Sequence, residues 1–337
     1  MRPHLQNTGA PETLTELSQV EAIASEWDAL LERSLCNRAF SSAQWYLTAC
    51  RNFPALAPYV LVARHRAKLA GVLPLVVNYE STAARFPTYL ADYNDVIAAP
   101  DDLEVSASLL KYALSFSGSY DKLALTDLRT DSNCMRALSL IENAKQLLKP
   151  YTNCPYVRVS SDAANYAQYL NSRSMAFRTS IKRAQHKAAR SGLLILELEP
   201  GSFPPDELPE IFLSLHLQRH GNGSCFAKES EQSFVTDVLP ILFAERRSRA
   251  FALFQKNRIV AINVCMVGSD SLCYWNGGFE VEASRWSPGK LLLDAGIKQA
   301  WALGLSEYDL LRGSEDYKDD WANGERQTYQ LDLKRGE

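Results

Sequence analysis

SLCYWNGGFEVEASRWSPGKLLLDAGIKQAWALGLSEYDLLRGSEDYKDDW, residues 271–321, carries the reading of the fold. A strand through Trp275, Asn276, Gly277, Gly278 and Phe279 runs into a loop. The loop opens a helix predicted over 288–303, and the helix returns to a strand at EYDLL. Ser287 fits an N-cap and Pro288 the first helical position, where a missing N–H costs nothing. Gly304 fits the position just past the helix end. A helix start presents free backbone N–H groups and a positive dipole end. Gly289 lets a ligand approach that backbone, and Lys290 adds a positive charge where the dipole alone would favour an acid. Pyrophosphate is the anion such a tip suits. The plainer alternative is an ordinary helix start with a solvated lysine.

Upstream of this stretch the elements follow an order that occurs twice. An amphipathic helix over 19–33 and a helix carrying Trp45, capped by Ser41 or Ser42, precede the strand–turn–strand YVLVARHRAKLAGVLPLVV. A helix near 101–116, a strand KLALTDL and a helix near 131–146 follow, and Asn153, Cys154 and Pro155 read as a break. The second half opens with a basic helix over 173–190 and a strand LLILELE. Helices at 208–218 and 229–245 and the hairpin AFALFQKNRIVAINVCMVG come next. Leu69 corresponds to Ile259, Tyr120-Asp121 to Tyr308-Asp309, Trp45 to Phe234 and Trp27 to His216, all at an offset of about 189 residues. Four landmarks in one register point to tandem copies of one α/β unit.

Bulk properties exclude several classes. A chain of 337 residues suggests two domains, and 46 % hydrophobic residues suffice for buried cores. A net charge of −3 exerts no global pull on nucleic acid or anionic membrane. Seven scattered cysteines without a CxxC pair argue against a zinc knuckle or a disulfide framework and suit a reducing cytosol. Of the histidines, only His216 and His220 share a helical face, with no HExxH pattern, so no metal is expected. The N-terminus lacks an apolar signal segment, and no apolar run is long enough for a membrane span.

The run from Ser287 to Trp321 resembles the C-terminal signature of the CelD-like and Fem-like branch of the GNAT superfamily of N-acyltransferases. Ser287, Pro288, Gly289, Asp309, Leu311, Arg312, Gly313, Tyr317, Lys318 and Trp321 carry the match. Weaker matches lie at Arg178, Lys182 and Arg183, at Arg219-His220, and at Phe40 with Trp45. The resemblance spans roughly residues 20–330 and is sharp over 271–321. It departs from mainstream GNAT enzymes at the phosphate loop, whose pattern is Gln/Arg-x-x-Gly-x-Gly/Ala. Here the six positions read Arg285-Trp286-Ser287-Pro288-Gly289-Lys290, and Pro288 removes one donor.

The resemblance implies an α/β (α+β) protein of two tandem GNAT-like lobes, each a mixed, mostly antiparallel sheet flanked by helices. The expected division is a disordered tail at 1–14, a degenerate lobe at 15–155 and an acyl-CoA-binding lobe at 156–337. In the first lobe the positions matching 287–290 are Ala98, Ala99, Pro100 and Asp101, which offer no glycine and a negative charge. The implied activity is transfer of an acetyl or other acyl group from acyl-CoA to a small-molecule amine. An amino sugar or an envelope or polysaccharide precursor is the expected acceptor, with direct attack on the thioester in the cytoplasm and no metal. Two alternatives stand beside it: a Fem-type transferase using aminoacyl-tRNA, and a non-catalytic GNAT-fold partner in polysaccharide biosynthesis.

The same resemblance assigns roles. Arg285, Ser287, Gly289 and Lys290 would hold the cofactor diphosphate, and a backbone N–H near Val264 or Cys265 would polarise the thioester carbonyl, on a strand that splays from its neighbour. Tyr317 would give the leaving thiolate a proton, or else pack against Trp321 one helical turn on. Asp309, His220, His216 and Glu315 are the candidates for the base. Asp309 stands at a strand end, with a salt bridge to Arg312 or Lys318 as its bland alternative. His220 stands at a helix end, with capping of carbonyls as its plainer alternative. His216, Arg219, Trp275, Asn276, Arg312 and Lys318 would face substrate, as would Asp92 and Asp95 in an acidic, turn-like cluster. The basic helix reads as a solvated face or as a polyanion contact.

Overall fold

The computed structural model describes residues 10–118, 120–159 and 165–336. The chain divides into two compact units. One holds the residues up to Thr152 together with those from Gln327 onward, and the other holds Asn153–Arg326.

The N-terminal unit begins with β1 (Glu12–Leu14), α1 (Leu17–Leu31) and α2 (Ala43–Asn52). Next come β2 (Leu56–His65), β3 (Lys68–Asn78), β4 (Ala83–Arg85), β5 (Ile97–Ala98), α3 (Leu103–Leu114), β6 (Lys122–Arg129) and α4 (Asn133–Leu138). Strands pair in the order β1-β2-β3-β4-β6, with β5 on β3; only β4 and β6 run parallel. The β2–β3 turn is Arg66-Ala67, both at positive φ, the mirror-image turn whose twist matches the flanking strands. Strand β2 reads as an almost continuous apolar run because both faces are covered. Val60 and Val62 join the core under α1 and α2, whereas Tyr59, Leu61 and Ala63 join the core under α3 and α4.

β7 (Leu148–Arg158) carries the chain into the C-terminal unit, so Asn153, Cys154 and Pro155, expected as a break, lie in a strand. There follow α5 (Tyr166–Ser172), α6 (Met175–Arg190), β8 (Leu193–Leu198), α7 (Leu208–His220), α8 (Glu229–Ala244), β9 (Ser248–Gln255), β10 (Arg258–Val267) and β11 (Ser271–Phe279). The unit closes with α9 (Pro288–Ala302), β12 (Glu307–Asp309) and α10 (Asp316–Trp321). Strands pair in the order β7-β12-β11-β10-β9-β8, with β11 and β12 the parallel pair. Helices α5, α6 and α9 cover one face. On the other, Phe212 of α7 stacks on Trp275 of β11, with Phe226 against both.

Both units are thus mixed α/β, with mostly antiparallel sheets flanked by helices. The landmark pairs of the repeat are buried in each: Trp27 and His216, Trp45 and Phe234, Tyr120 and Tyr308. Two features depart from the division expected from sequence. The last strand, β13 (Gly324–Lys334), pairs along 328–334 with β6, so residues from Gln327 onward belong with the N-terminal unit. In the expected tail, residues 1–9 lie outside the described residues, while Glu12–Leu14 pair with Val60–Val62 of β2. No helix of the described residues is long and apolar enough to cross a membrane.

Candidate functional site

Strands β11 and β12 pair for only three residues, ending at Cys273 opposite Asp309. Beyond that point Leu310 donates its N–H to Pro155 of β7, while β11 continues to Phe279 paired with β10 alone. The two strands therefore splay. A bulge at Trp275, where Val264 faces Asn276 and Cys265 faces Tyr274, turns the freed length of β11. The splay was expected on the strand holding Val264 and Cys265. Those residues are instead flanked on both sides, by β9 and β11, and the Cys265 thiol sits in the core 3.5 Å from the Tyr308 hydroxyl, its pKa pushed up to about 12 by burial.

A cavity of about 250 Å³ opens beside the freed strand. Tyr274 and Phe279 of β11, Ser287, Pro288, Gly289 and Lys290 at the start of α9, Tyr317, Asp320 and Trp321 of α10, and Arg219 of α7 line it. Ser287 stands at the N-cap position, but not as the sequence suggests. A turn of 3-10 helix over Val281–Trp286 leads straight into α9, which puts Ser287 in the left-handed region at φ 55° and leaves its side chain without a capping bond. Such a backbone in a non-glycine residue costs about 1–2 kcal/mol. The amides an N-cap side chain would satisfy, those of Gly289 and Lys290, are left for another acceptor. A methyl group placed on Gly289 would meet nothing nearer than the Arg219 guanidinium, 4.0 Å away. The helix tip is therefore open on the side that faces the cavity.

The charged groups around the tip are not equivalent. Lys290 donates to the Ser180 hydroxyl at 2.7 Å and lies 5.4 Å from the Phe177 ring, so its ammonium is engaged with α6. Arg285, also expected to hold a phosphate, is exposed and stacks over Trp286 at 4.1 Å. Arg219 lies over the Phe279 ring at 4.6 Å and brings its guanidinium to the open side of Gly289. Burial raises the Tyr274 hydroxyl to about 12, while the Arg219 cation pulls it down. Tyr317 is driven well above the ordinary phenol range by burial, then by Tyr274 and Glu315, with Arg219 opposing. It stays a neutral hydrogen-bond donor at the cavity wall.

Other expected site residues have structural duties. Lys318 is buried; its ammonium donates to the carbonyls of Arg312 at 2.5 Å and Leu311 at 3.4 Å and pairs with Glu315 at 3.0 Å. It ties down a turn in which Leu311 and Gly313 have φ of 58° and 123°, and so fixes the start of the helix bearing Tyr317. Asp309 is buried, accepts the Leu311 N–H at 2.8 Å and faces Arg326 at 3.7 Å. Arg312 is half-buried and carries the carbonyl that Lys318 grips. His216 stacks on His220 with ring centroids 4.4 Å apart, and its Nδ1 lies 3.2 Å from the Gly277 carbonyl oxygen. Burial lowers His216 to about 4, helped by His220 and Arg219; His220 is lowered less, by burial and then Arg219. Trp275 packs against α7, and Asn276 is half-buried next to it. Asp92 is buried and Asp95 half-buried in the N-terminal unit. Asp95 accepts the Asn133 and Cys134 amides at 2.9 and 2.7 Å and so caps α4; burial raises it to about 6, against the pull of those bonds.

Sequence reasoning missed Asp320, which lines the cavity from the last turn of α10. It also missed the reason for Gly278. A Cβ there would collide with the backbone of Leu215 and His216, so the glycine lets α7 lie flat on β11 and delivers Arg219 to the cavity. The Gly-Gly pair in WNGGF was the available signal. Among the described residues no group of His, Cys, Asp and Glu is arranged to hold a metal ion.

Residues 175–319 match a family described as an acetyltransferase (GNAT) domain. Solved structures similar to the whole chain include FemX, at a TM-score of 0.58 and 11 % identity over 94 % of this chain and 96 % of that one. The C-terminal domain of a putative lysylphosphatidylglycerol synthetase from Agrobacterium fabrum aligns at 0.59 and 11 %, over 95 % and 93 %. L-PGS from Bacillus licheniformis aligns at 0.58 and 10 %, over 91 % and 90 %. At such identities the likeness is one of fold. No curated protein matches the sequence.

Proposed function

We propose, from the match of residues 175–319 to an acetyltransferase (GNAT) domain, that the chain transfers an acyl group from an acyl-CoA, acetyl-CoA foremost, to the nitrogen of a small amine. One observation carries this reading: the α9 tip has uncapped first-turn amides and a side-chain-free Gly289 facing a cavity that Arg219 also enters. That combination fits a diphosphate, which needs several donors at close backbone approach.

In this reading the Gly289 and Lys290 amides and the Arg219 guanidinium hold the diphosphate. The acyl arm follows the freed edge of β11 past Tyr274, where the strand's unpaired backbone groups are placed to polarise the thioester carbonyl. The amine nitrogen forms the new bond to the carbonyl carbon, and the carbon–sulfur bond breaks. Tyr317 donates its O–H to the departing sulfur. Its raised pKa makes hydrogen-bond stabilisation of the thiolate its contribution, with solvent supplying the final proton. The amine's own proton leaves to water. His216, neutral and sealed behind Gly277, acts by seating α7. A cytoplasmic location accompanies the use of acyl-CoA.

The test is thermal stabilisation by acetyl-CoA and CoA, lost in Gly289→Glu. If a panel of acyl-CoAs leaves wild-type melting unchanged, the acyl-CoA reading is wrong. The Fem-type alternative has one observation in its favour, the exposed basic face of α6 with Lys182, Arg183, Lys187 and Arg190. Salt-sensitive tRNA binding that collapses when the first three are neutralised would establish it.

A further inference from the structure

Three charged side chains line the cavity beside α9, and only one of them is negative. Lys290 is occupied by Ser180, and Arg219 lies on Phe279. Asp320 is exposed, and among the described residues its carboxylate makes no hydrogen bond or ion pair. Local structure gives it no reason to be acidic. It stands in the last turn of α10, where the helix dipole disfavours a carboxylate, and α10 already has Asp316 and Asp319 in its first turn. Four aromatic side chains share the wall with it: Tyr274, Phe279, Tyr317 and Trp321. A carboxylate that lines a cavity together with aromatic side chains suits an ammonium ion, which charge and ring quadrupoles both attract. The cavity therefore combines donors, the α9 amides and the Arg219 guanidinium, with a single carboxylate and four aromatic side chains.

We infer that Asp320 receives the acceptor amine in its protonated form, so that the enzyme selects alkyl primary amines that arrive as ammonium ions over neutral amines and alcohols. This rests on the acyl-transfer reading for the acceptor's role, while the ammonium site itself follows from the cavity. Asp320 docks the nitrogen beside Tyr317; the ammonium then gives up a proton to water at the open mouth and attacks as the free amine.

Benzylammonium and its neutral counterpart benzyl alcohol, titrated calorimetrically into the full chain with and without saturating CoA, test the assignment. Benzylammonium should bind roughly five-fold tighter than benzyl alcohol. Asp320→Asn should remove the preference. Asp319→Asn, which makes the same charge change outside the cavity, should keep it. Equal binding of the two probes to wild type, or a preference that survives in Asp320→Asn, overturns the inference. If CoA fails to stabilise the protein while the benzylammonium preference stands and depends on Asp320, the donor reading falls and the ammonium site remains.

Discussion

The two units build the same kind of helix start and finish it differently. In the N-terminal unit, α3 begins with the charges of Asp102 and Glu104, although the Asp102 side chain makes no capping bond, and α4 receives the carboxylate of Asp95 on two of its amides. Both tips are neutralised from within. In the C-terminal unit, α9 has no acidic residue in its first turn, no side-chain cap, and a glycine facing empty space. An uncapped helix start leaves amides for another acceptor, and in the proposed function the ligand's anion takes that place. The repeat thus separates scaffold from site: what both units share holds the fold, and what only α9 lacks points to function.

The most direct way to break the contrast is to make α9 resemble α3. Gly289→Glu puts a carboxylate where the anion would sit, and acyl transfer should fall by about 100-fold or more, measured as kcat/KM. Within the intact site, Tyr317→Phe should lower kcat by roughly 10- to 100-fold with the CoA-induced melting shift preserved; a lost shift would make Tyr317 a packing residue. Gly278→Ala tests the scaffold of the same unit. Its methyl group must displace the α7 backbone, and urea unfolding should show a loss of about 2–3 kcal/mol.

Acidity sharpens the comparison further, because burial shifts groups of opposite sign in the two units. His216, lowered from 6.5 to about 4, binds protons more weakly folded than unfolded, so its contribution to stability is full above pH 6.5 and is lost as pH falls toward 4. Asp95, raised from 3.8 to about 6, does the reverse: its contribution is full below 3.8 and fades as pH rises through 6. Urea melts between pH 4 and 6.5 should show His216→Asn flattening a rise and Asp95→Asn flattening a fall. The smallest effect belongs to α3. Glu104→Gln removes one dipole-facing charge on an exposed turn and should change stability by only about a few tenths of a kcal/mol.

Much of this was legible in the chain itself. The boundaries of α9, the Arg66-Ala67 and Lys256-Asn257 hairpins and the repeat of buried landmarks all rest on neighbouring residues. Gly289, Lys290 and Tyr317 reach the cavity as the pattern implies. Other assignments moved. Lys318 looked like a substrate ligand and holds carbonyls, because a lysine's partners are set by where the chain turns. Asp309 faces Arg326, which stands near the start of β13, and no local spacing encodes that meeting. Trp275 packs against α7 because it alternates with Tyr274, which lines the cavity on the other face of the strand.

The sequence by itself determined the elements, the doubling of the unit and the unusual Ser-Pro-Gly-Lys helix start, because capping, turn conformation and periodicity act over a few residues. Tertiary structure alone decided that Ser287 would leave its helix uncapped and that Arg219 would come from about 70 residues away to face Gly289. It also decided that Asp320 would look into the same space and that the final strand would return to the first unit. Those outcomes depend on pairings between distant segments, whose free energy appears only once the sheets have formed.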